Sequence, residues 1–228
     1  MSTLQKYGGF AALYLALAYL AGMALFLVVL DYPSITDPAQ KVALLVEQPA
    51  VIFATNLLMY VFFGVFLAIL WLALYDRLKA AAPAMMRVVT ALGLIWAGSL
   101  IASGMVANAG IEPVVAQYAH DPAQAALTWQ GIEIVASGLG NGNGEILGGL
   151  ATLLVSLAAL RAGRLPKGLN ILGLLVGAVG SLSILPGLTG GLTGVFGLSQ
   201  MVWFAWLGMA LLRSNLAQTA QKTATLVS

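Results

Sequence analysis

The sequence predicts an all-α, polytopic membrane bundle of six spanning helices, and three observations carry that prediction. Of the 228 residues, 61% are hydrophobic and only 8% charged, with a mean hydropathy of +0.96. A water-facing domain carries about a quarter charged residues. Several apolar runs exceed the roughly 18 residues that mark a spanning helix. Lys and Arg also collect in alternate loops, the signature of a chain that crosses a bilayer repeatedly. The length suits one transmembrane domain over residues 1–228 and leaves no room for a separate soluble domain.

The first apolar run, 7–30, is too long for the hydrophobic part of a signal peptide. Asp31-Tyr32-Pro33 follows it, not a small-residue cleavage site, so it reads as an uncleaved first helix. The second and third segments are 51–75 and 88–109, the fourth ends at Leu160, and the last two are 168–185 and 192–212. Asp37-Pro38-Ala39-Gln40 and Asp121-Pro122-Ala123-Gln124 each place an N-cap Asp before a Pro at the first helical position. Each is expected to open a short helix at the outer surface, after helices one and three.

Charge sets the expected orientation. Lys6, Arg77, Lys79, Arg87, Arg161, Arg164, Lys167, Arg213 and Lys222 fall on one side, and Lys41 alone on the other, with Asp31, Asp37, Glu47, Glu112 and Asp121. Loops rich in Lys and Arg stay in the cytoplasm, so both termini are expected inside, in a bacterial inner membrane.

The two Asp-Pro-Ala-Gln stretches also suggest an internal repeat. Asp37 to Arg77 and Asp121 to Arg161 are both 40 residues, and Lys6, Arg87 and Lys167 are spaced 81 and 80 apart. Hairpin units 6–80, 87–164 and 167–213 would follow, the third keeping only the Pro186-Gly187 turn. Four matched residues and similar loop lengths arise equally well by chance, and both readings stand.

The most informative stretch runs from Ser137 to Gly149 and holds Asn141, Asn143 and Glu145 among glycines. Counting from Arg161 at ~1.5 Å per residue puts Glu145 about 24 Å from the inner edge, within a hydrocarbon core of ~30 Å. A carboxyl there faces a partner or a wet cavity. The same count gives about 20–24 Å for Ser181, Ser183, Gln200 and Ser103, with Tyr60 and Asn56 at or just above that level. Glu145, Asn143, Asn141, Gln200, Tyr60, Asn56, Ser103 and Ser183 are therefore the candidate ligand-binding residues, as a polar layer in the outer half. Gly140, Gly144 and Gly148 are spaced by four, which suits close helix packing. Gly138, Gly140, Gly142 and Gly144 alternate, which suits unwinding. Packing is the favoured expectation. For Glu145, a hydrogen-bonded carboxyl tying helix four to a neighbour is favoured over a proton- or cation-coupled site.

Chemistry is narrowed by what is missing. Without cysteine there is no disulfide, thiol nucleophile or Cys-ligated metal, and the only histidine, His120, sits in an outer loop. No cluster of metal ligands and no Gly-x-Ser-x-Gly elbow is present, so no catalytic residue, metal or cofactor is expected. Glu133 and Glu145 would lie ~18 Å apart on one helix, too far to act as a carboxylate pair. Tyr7, Tyr32, Tyr75, Tyr118 and Trp129 read as interfacial anchors, and Trp96, Trp203 and Trp206 as packing between helices.

Tyr7-Gly-Gly-Phe-Ala-Ala-Leu-Tyr-Leu-Ala-Leu-Ala-Tyr-Leu-Ala-Gly22 resembles the start of a bacterial six-helix integral membrane family known as a domain of unknown function. Arg164-Leu-Pro-Lys-Gly-Leu-Asn-Ile-Leu-Gly-Leu-Leu-Val-Gly-Ala-Val-Gly180 resembles that family's entry into helix five. The resemblance implies the six-helix topology and carries no activity or site residue.

The expected function is non-enzymatic: a lipid or small amphipathic ligand held in the outer-half polar cavity, or service as an accessory subunit of a membrane complex. The alternative is a small-solute or proton-coupled transporter or channel using Glu145. Expected partners are the bilayer, a lipid or small apolar ligand, and a membrane protein or second copy; nucleic acid is not among them.

Overall fold

The computed structural model describes residues 3–227, with side chains described from Thr3 to Arg213 except Pro33. Lys222, counted above among the inner cations, lies outside the residues whose side chains are described. Among the described residues there is no strand. In order, the α-helices are α1 (Thr3–Ala24), α2 (Pro38–Glu47), α3 (Pro49–Asn56), α4 (Phe63–Leu78), α5 (Pro83–Tyr118), α6 (Pro122–Leu139), α7 (Ile146–Ala162), α8 (Lys167–Leu182) and α9 (Thr189–Val227). Wider π-helical turns, Leu25–Val29 and Leu57–Phe62, follow α1 and join α3 to α4.

Among the described residues, four stretches are long and apolar enough to cross a membrane: Thr3–Val29, Pro49–Leu78, Pro83–Tyr118 and Thr189–Arg213. They correspond to the first, second, third and sixth expected segments, the first ending one residue short of Leu30. α7 and α8 are apolar but have only 17 and 16 residues, about 26 and 24 Å of helix. The third helix does not stop at 109; it runs on through Pro113 to Tyr118.

Both Asp-Pro caps form. Asp37 Oδ1 accepts from the Ala39 amide at 3.0 Å, and Asp121 Oδ1 from the Gln124 amide at 3.0 Å. The first opens the 10-residue α2, but the second opens the 18-residue α6. The chain then breaks over 140–145, where Asn141 (φ 69°) and Gly144 (φ 127°) take left-handed backbone conformations. The preference for packing over unwinding in this glycine run is corrected accordingly. A Cβ at Gly144 would meet Ile184 Cα at 2.7 Å, so the same glycine serves both a turn and a close approach.

The chain divides into two compact units. The first comprises Met1–Leu17, Val65–Ala97 and Gly144–Ser228. Its tightest seam joins α7 to α8, where a Cβ on Gly149 would lie 2.3 Å from the Ser181 amide and one on Gly177 2.5 Å from the Leu153 amide. Small residues let these backbones approach closely. Trp71, Trp96 and Phe196 form a buried aromatic chain, each neighbouring pair 6.4 Å between centroids. Trp96 and Trp203 are each 1% exposed, as packing residues should be, but Trp206 is 38% exposed and is not a core residue.

The second unit comprises Ala18–Gly64 and Gly98–Asn143. Leu30, Val42, Leu45, Ile52, Val114 and Trp129 contribute to its core, in which α2 packs against α6 with residues of α3 and α5. The two units differ sharply in charge. The first holds nine Lys and Arg against two acids, net +7; the second holds Lys41 against six acids, net −5, giving the chain's +2.

Candidate binding cavity

A cavity of about 760 Å³ lies within the second unit, inside the range of roughly 300–1,000 Å³ typical of small-molecule sites. Its polar rim is assembled from three places in the sequence. Asp31, with φ 45°, turns the chain out of the first apolar helix and into a short 3-10 turn, Tyr32–Ser34. That turn presents Tyr32. The Asp37 cap then starts α2, which carries Lys41. On α6, Trp129 and Glu133 are four residues apart and share a face.

These groups converge. The Tyr32 hydroxyl donates to Glu133 Oε1 and accepts from Trp129 Nε1 at 3.2 Å. Lys41 Nζ reaches both Glu133 oxygens, at 3.2 and 3.3 Å, and sits 4.9 Å from the centroid of the Tyr32 ring. The Lys41 and Glu133 side chains are each about a quarter exposed, at 25% and 24%. Burial pushes the Tyr32 phenol above its ordinary value, and the hydrogen bond to Glu133 adds to that, so Tyr32 remains a donor.

A second polar group lies on the same cavity's wall. Asn56 Nδ2 donates to Asn108 Oδ1 at 3.0 Å, and Asn108 Nδ2 to the Phe53 carbonyl at 3.3 Å. Ser103 donates to the Ala136 carbonyl at 2.7 Å. A Cβ at Gly140 would come within 2.9 Å of Ser103 Oγ and 3.2 Å of the Tyr60 ring, so a larger residue there would have to displace the Ser103 hydroxyl. Phe26, Leu30, Ile52, Ala107 and Ile132 supply apolar lining.

The eight candidate residues are divided between the two units. Asn56, Tyr60, Ser103 and Asn143 line this cavity. Asn141 is buried in the same unit with its Nδ2 lacking a hydrogen-bond partner, and is not part of the lining. The other three lie in the first unit. The Glu145 amide donates to Ser183 Oγ at 2.8 Å, Ser183 donates to the Gly180 carbonyl at 2.7 Å, and Glu145 Oε2 is buried with no partner. Gln200 is fully buried and exchanges hydrogen bonds with Thr152 at 3.2 and 3.3 Å. Among the described residues no three His, Asp or Glu side chains come together as metal ligands would.

Sequence reasoning missed Tyr32, Lys41, Trp129 and Glu133 as a cluster. Two signals pointed to them: Lys41 is the only cation among the acidic outer segments, and Glu133 is the one carboxylate within α6.

The structure is a helical bundle with apolar helices, compatible with a membrane protein, whose second unit contains a largely apolar cavity with a cluster of polar groups in its lining. No family model, no curated protein and no solved structure matches the chain.

Proposed function

We propose that this protein is a six-span component of a bacterial inner membrane, with both termini cytoplasmic, that holds a small amphipathic molecule in the cavity of its second unit. On this reading α2 lies at the outer surface, α7 and α8 complete the six crossings, and the chain shares its topology with the six-helix family it resembles. One observation carries the binding proposal: Glu133, Lys41 and Tyr32 satisfy one another at the rim of a cavity whose remaining wall is largely apolar. A polar anchor beside apolar lining suits a ligand with a hydrogen-bonding head and a hydrocarbon body.

The test is a thermal-shift assay on delipidated protein, to which the small-molecule fraction of the source membranes is returned. Ligand that binds only the folded state raises the melting temperature. Wild type should shift further than Ala107→Phe, which adds bulk at an apolar position of the cavity lining. Equal shifts in both forms, or none in either, would count against the cavity.

A second reading, proton- or cation-coupled transport, draws on the break between α6 and α7 and on Glu145 Oε2, buried without a partner at the start of α7. Broken helices in transporters place such groups at ion sites. It requires Glu145→Gln to abolish pH-driven solute uptake into proteoliposomes while the protein still folds; undiminished uptake would remove it.

A further inference from the structure

We propose that the first unit contains a binding site for a phosphate-bearing anion with an apolar tail, at the pocket where Arg77, Arg164 and Arg213 meet beside Trp206. The pocket has a volume of about 390 Å³. Its three arginines come from three separate elements: the end of α4, the turn between α7 and α8, and α9. No carboxylate is among its lining residues.

Three like charges around one cavity call for a counter-ion, and the unit has few of its own. Its nine cations face two acids. Asp76 is already engaged by Lys79 at 2.6 Å, and Glu145 lies at the opposite end of α7 from Arg164.

The site is also held in shape. Arg77 donates to Gln5 Oε1 at 3.1 Å and to the Arg164 carbonyl at 2.9 and 3.3 Å. Those bonds fix the guanidinium and the turn together before any ligand arrives. Gly163, at φ 59°, ends α7 in a left-handed cap, and α8 starts after Pro166 with no side-chain cap on its first amides. Guanidinium forks match phosphate oxygens in geometry.

The flank of the pocket decides the ligand class. Trp206, Met209, Ala210 and Leu165 are apolar. A Cβ at Gly168 would lie 2.9 Å from the Trp206 ring, so glycine there lets the ring lie flush with α8. Cationic head contacts beside an exposed aromatic and aliphatic strip suit a phosphate that carries acyl chains, as at basic pockets for anionic lipid heads.

The experiment is native mass spectrometry of the full chain in detergent, with phosphatidylglycerol, phosphatidylcholine or inorganic phosphate added. Two double variants of equal charge are compared with wild type. Arg164→Ala/Arg213→Ala removes two exposed side chains of the pocket and keeps the Arg164 carbonyl that receives Arg77. Arg87→Ala/Arg161→Ala removes two exposed arginines outside it. The proposal expects phosphatidylglycerol on wild type and on the second variant, with binding to the first weaker by roughly tenfold or more. Phosphatidylcholine should bind more weakly throughout. Inorganic phosphate that displaces phosphatidylglycerol from wild type and fails to bind the first variant would support the same site with a soluble source. Equal loss of phosphatidylglycerol in both variants, or no loss in either, would overturn the proposal.

Discussion

Tyr32 and Glu133 lie 101 positions apart in sequence and share a hydrogen bond at the rim of the cavity in the second unit. The contact ties the turn after the first apolar helix to the middle of α6. Lys41, arriving from α2, neutralises the same carboxylate. A part-buried carboxylate would be costly alone; with a cation, a phenol and an indole around it, the rim is satisfied and remains polar.

This arrangement predicts strong coupling between Lys41 and Glu133. Lys41→Met should destabilise the protein by about 1–3 kcal/mol, because it leaves the carboxylate short of a partner. Lys41→Met/Glu133→Gln should recover part of that loss. Denaturant unfolding in detergent, read as a double-mutant cycle, checks this, and a coupling energy near zero would contradict it.

Tyr32 makes a prediction about pH. Burial raises its phenol above the ordinary tyrosine value of about 10 in the folded state, so the neutral form is the one that folding favours. The resulting stability is fully present below the unfolded value of about 10 and is lost as pH rises toward the folded value. The difference in melting temperature between wild type and Tyr32→Phe should therefore be constant from pH 6 to about pH 9.5 and shrink above about pH 10. A difference that is already shrinking at pH 8 would contradict the assignment.

The seam between α7 and α8 predicts opposite outcomes for two glycines. Gly149→Ala would force a methyl to 2.3 Å from the Ser181 amide, whereas a Cβ at Gly98 in α5 meets nothing within 4 Å. The first change should cost about 1–3 kcal/mol by overpacking. The second should be neutral or stabilise by up to ~1 kcal/mol through helix propensity. Melting profiles in one detergent decide it; equal profiles for the two variants would mean the seam is looser than described.

What the sequence made legible was local chemistry. Asp37 and Asp121 cap α2 and α6 because an Asp before a Pro satisfies the first amides within two or three residues. Long apolar runs gave four of the spanning-length helices because hydropathy needs no partner. Counting residues gave each polar group a height but not the direction it faces. The count gave Ser183, Gln200, Ser103 and Asn56 similar heights, yet the first two belong to one unit and the last two to the other. The break after α6 was half legible. Alternating glycines weaken a helix, but Glu145 is bound through its amide by Ser183, 38 positions away, and no local pattern encodes that. Tyr32 and Trp129 read as interfacial anchors, and their joint role around Glu133 emerges only when three distant segments fold together.

The central claim is tested most directly by native mass spectrometry of gently extracted wild type, Ala107→Phe and Glu145→Gln, each first checked for native helix content by circular dichroism. Besides any phospholipid at the arginine pocket, the account predicts one small molecule of defined mass that wild type and Glu145→Gln carry and Ala107→Phe lacks. A molecule that survives Ala107→Phe but is lost from Glu145→Gln would contradict it and move the functional site to the start of α7.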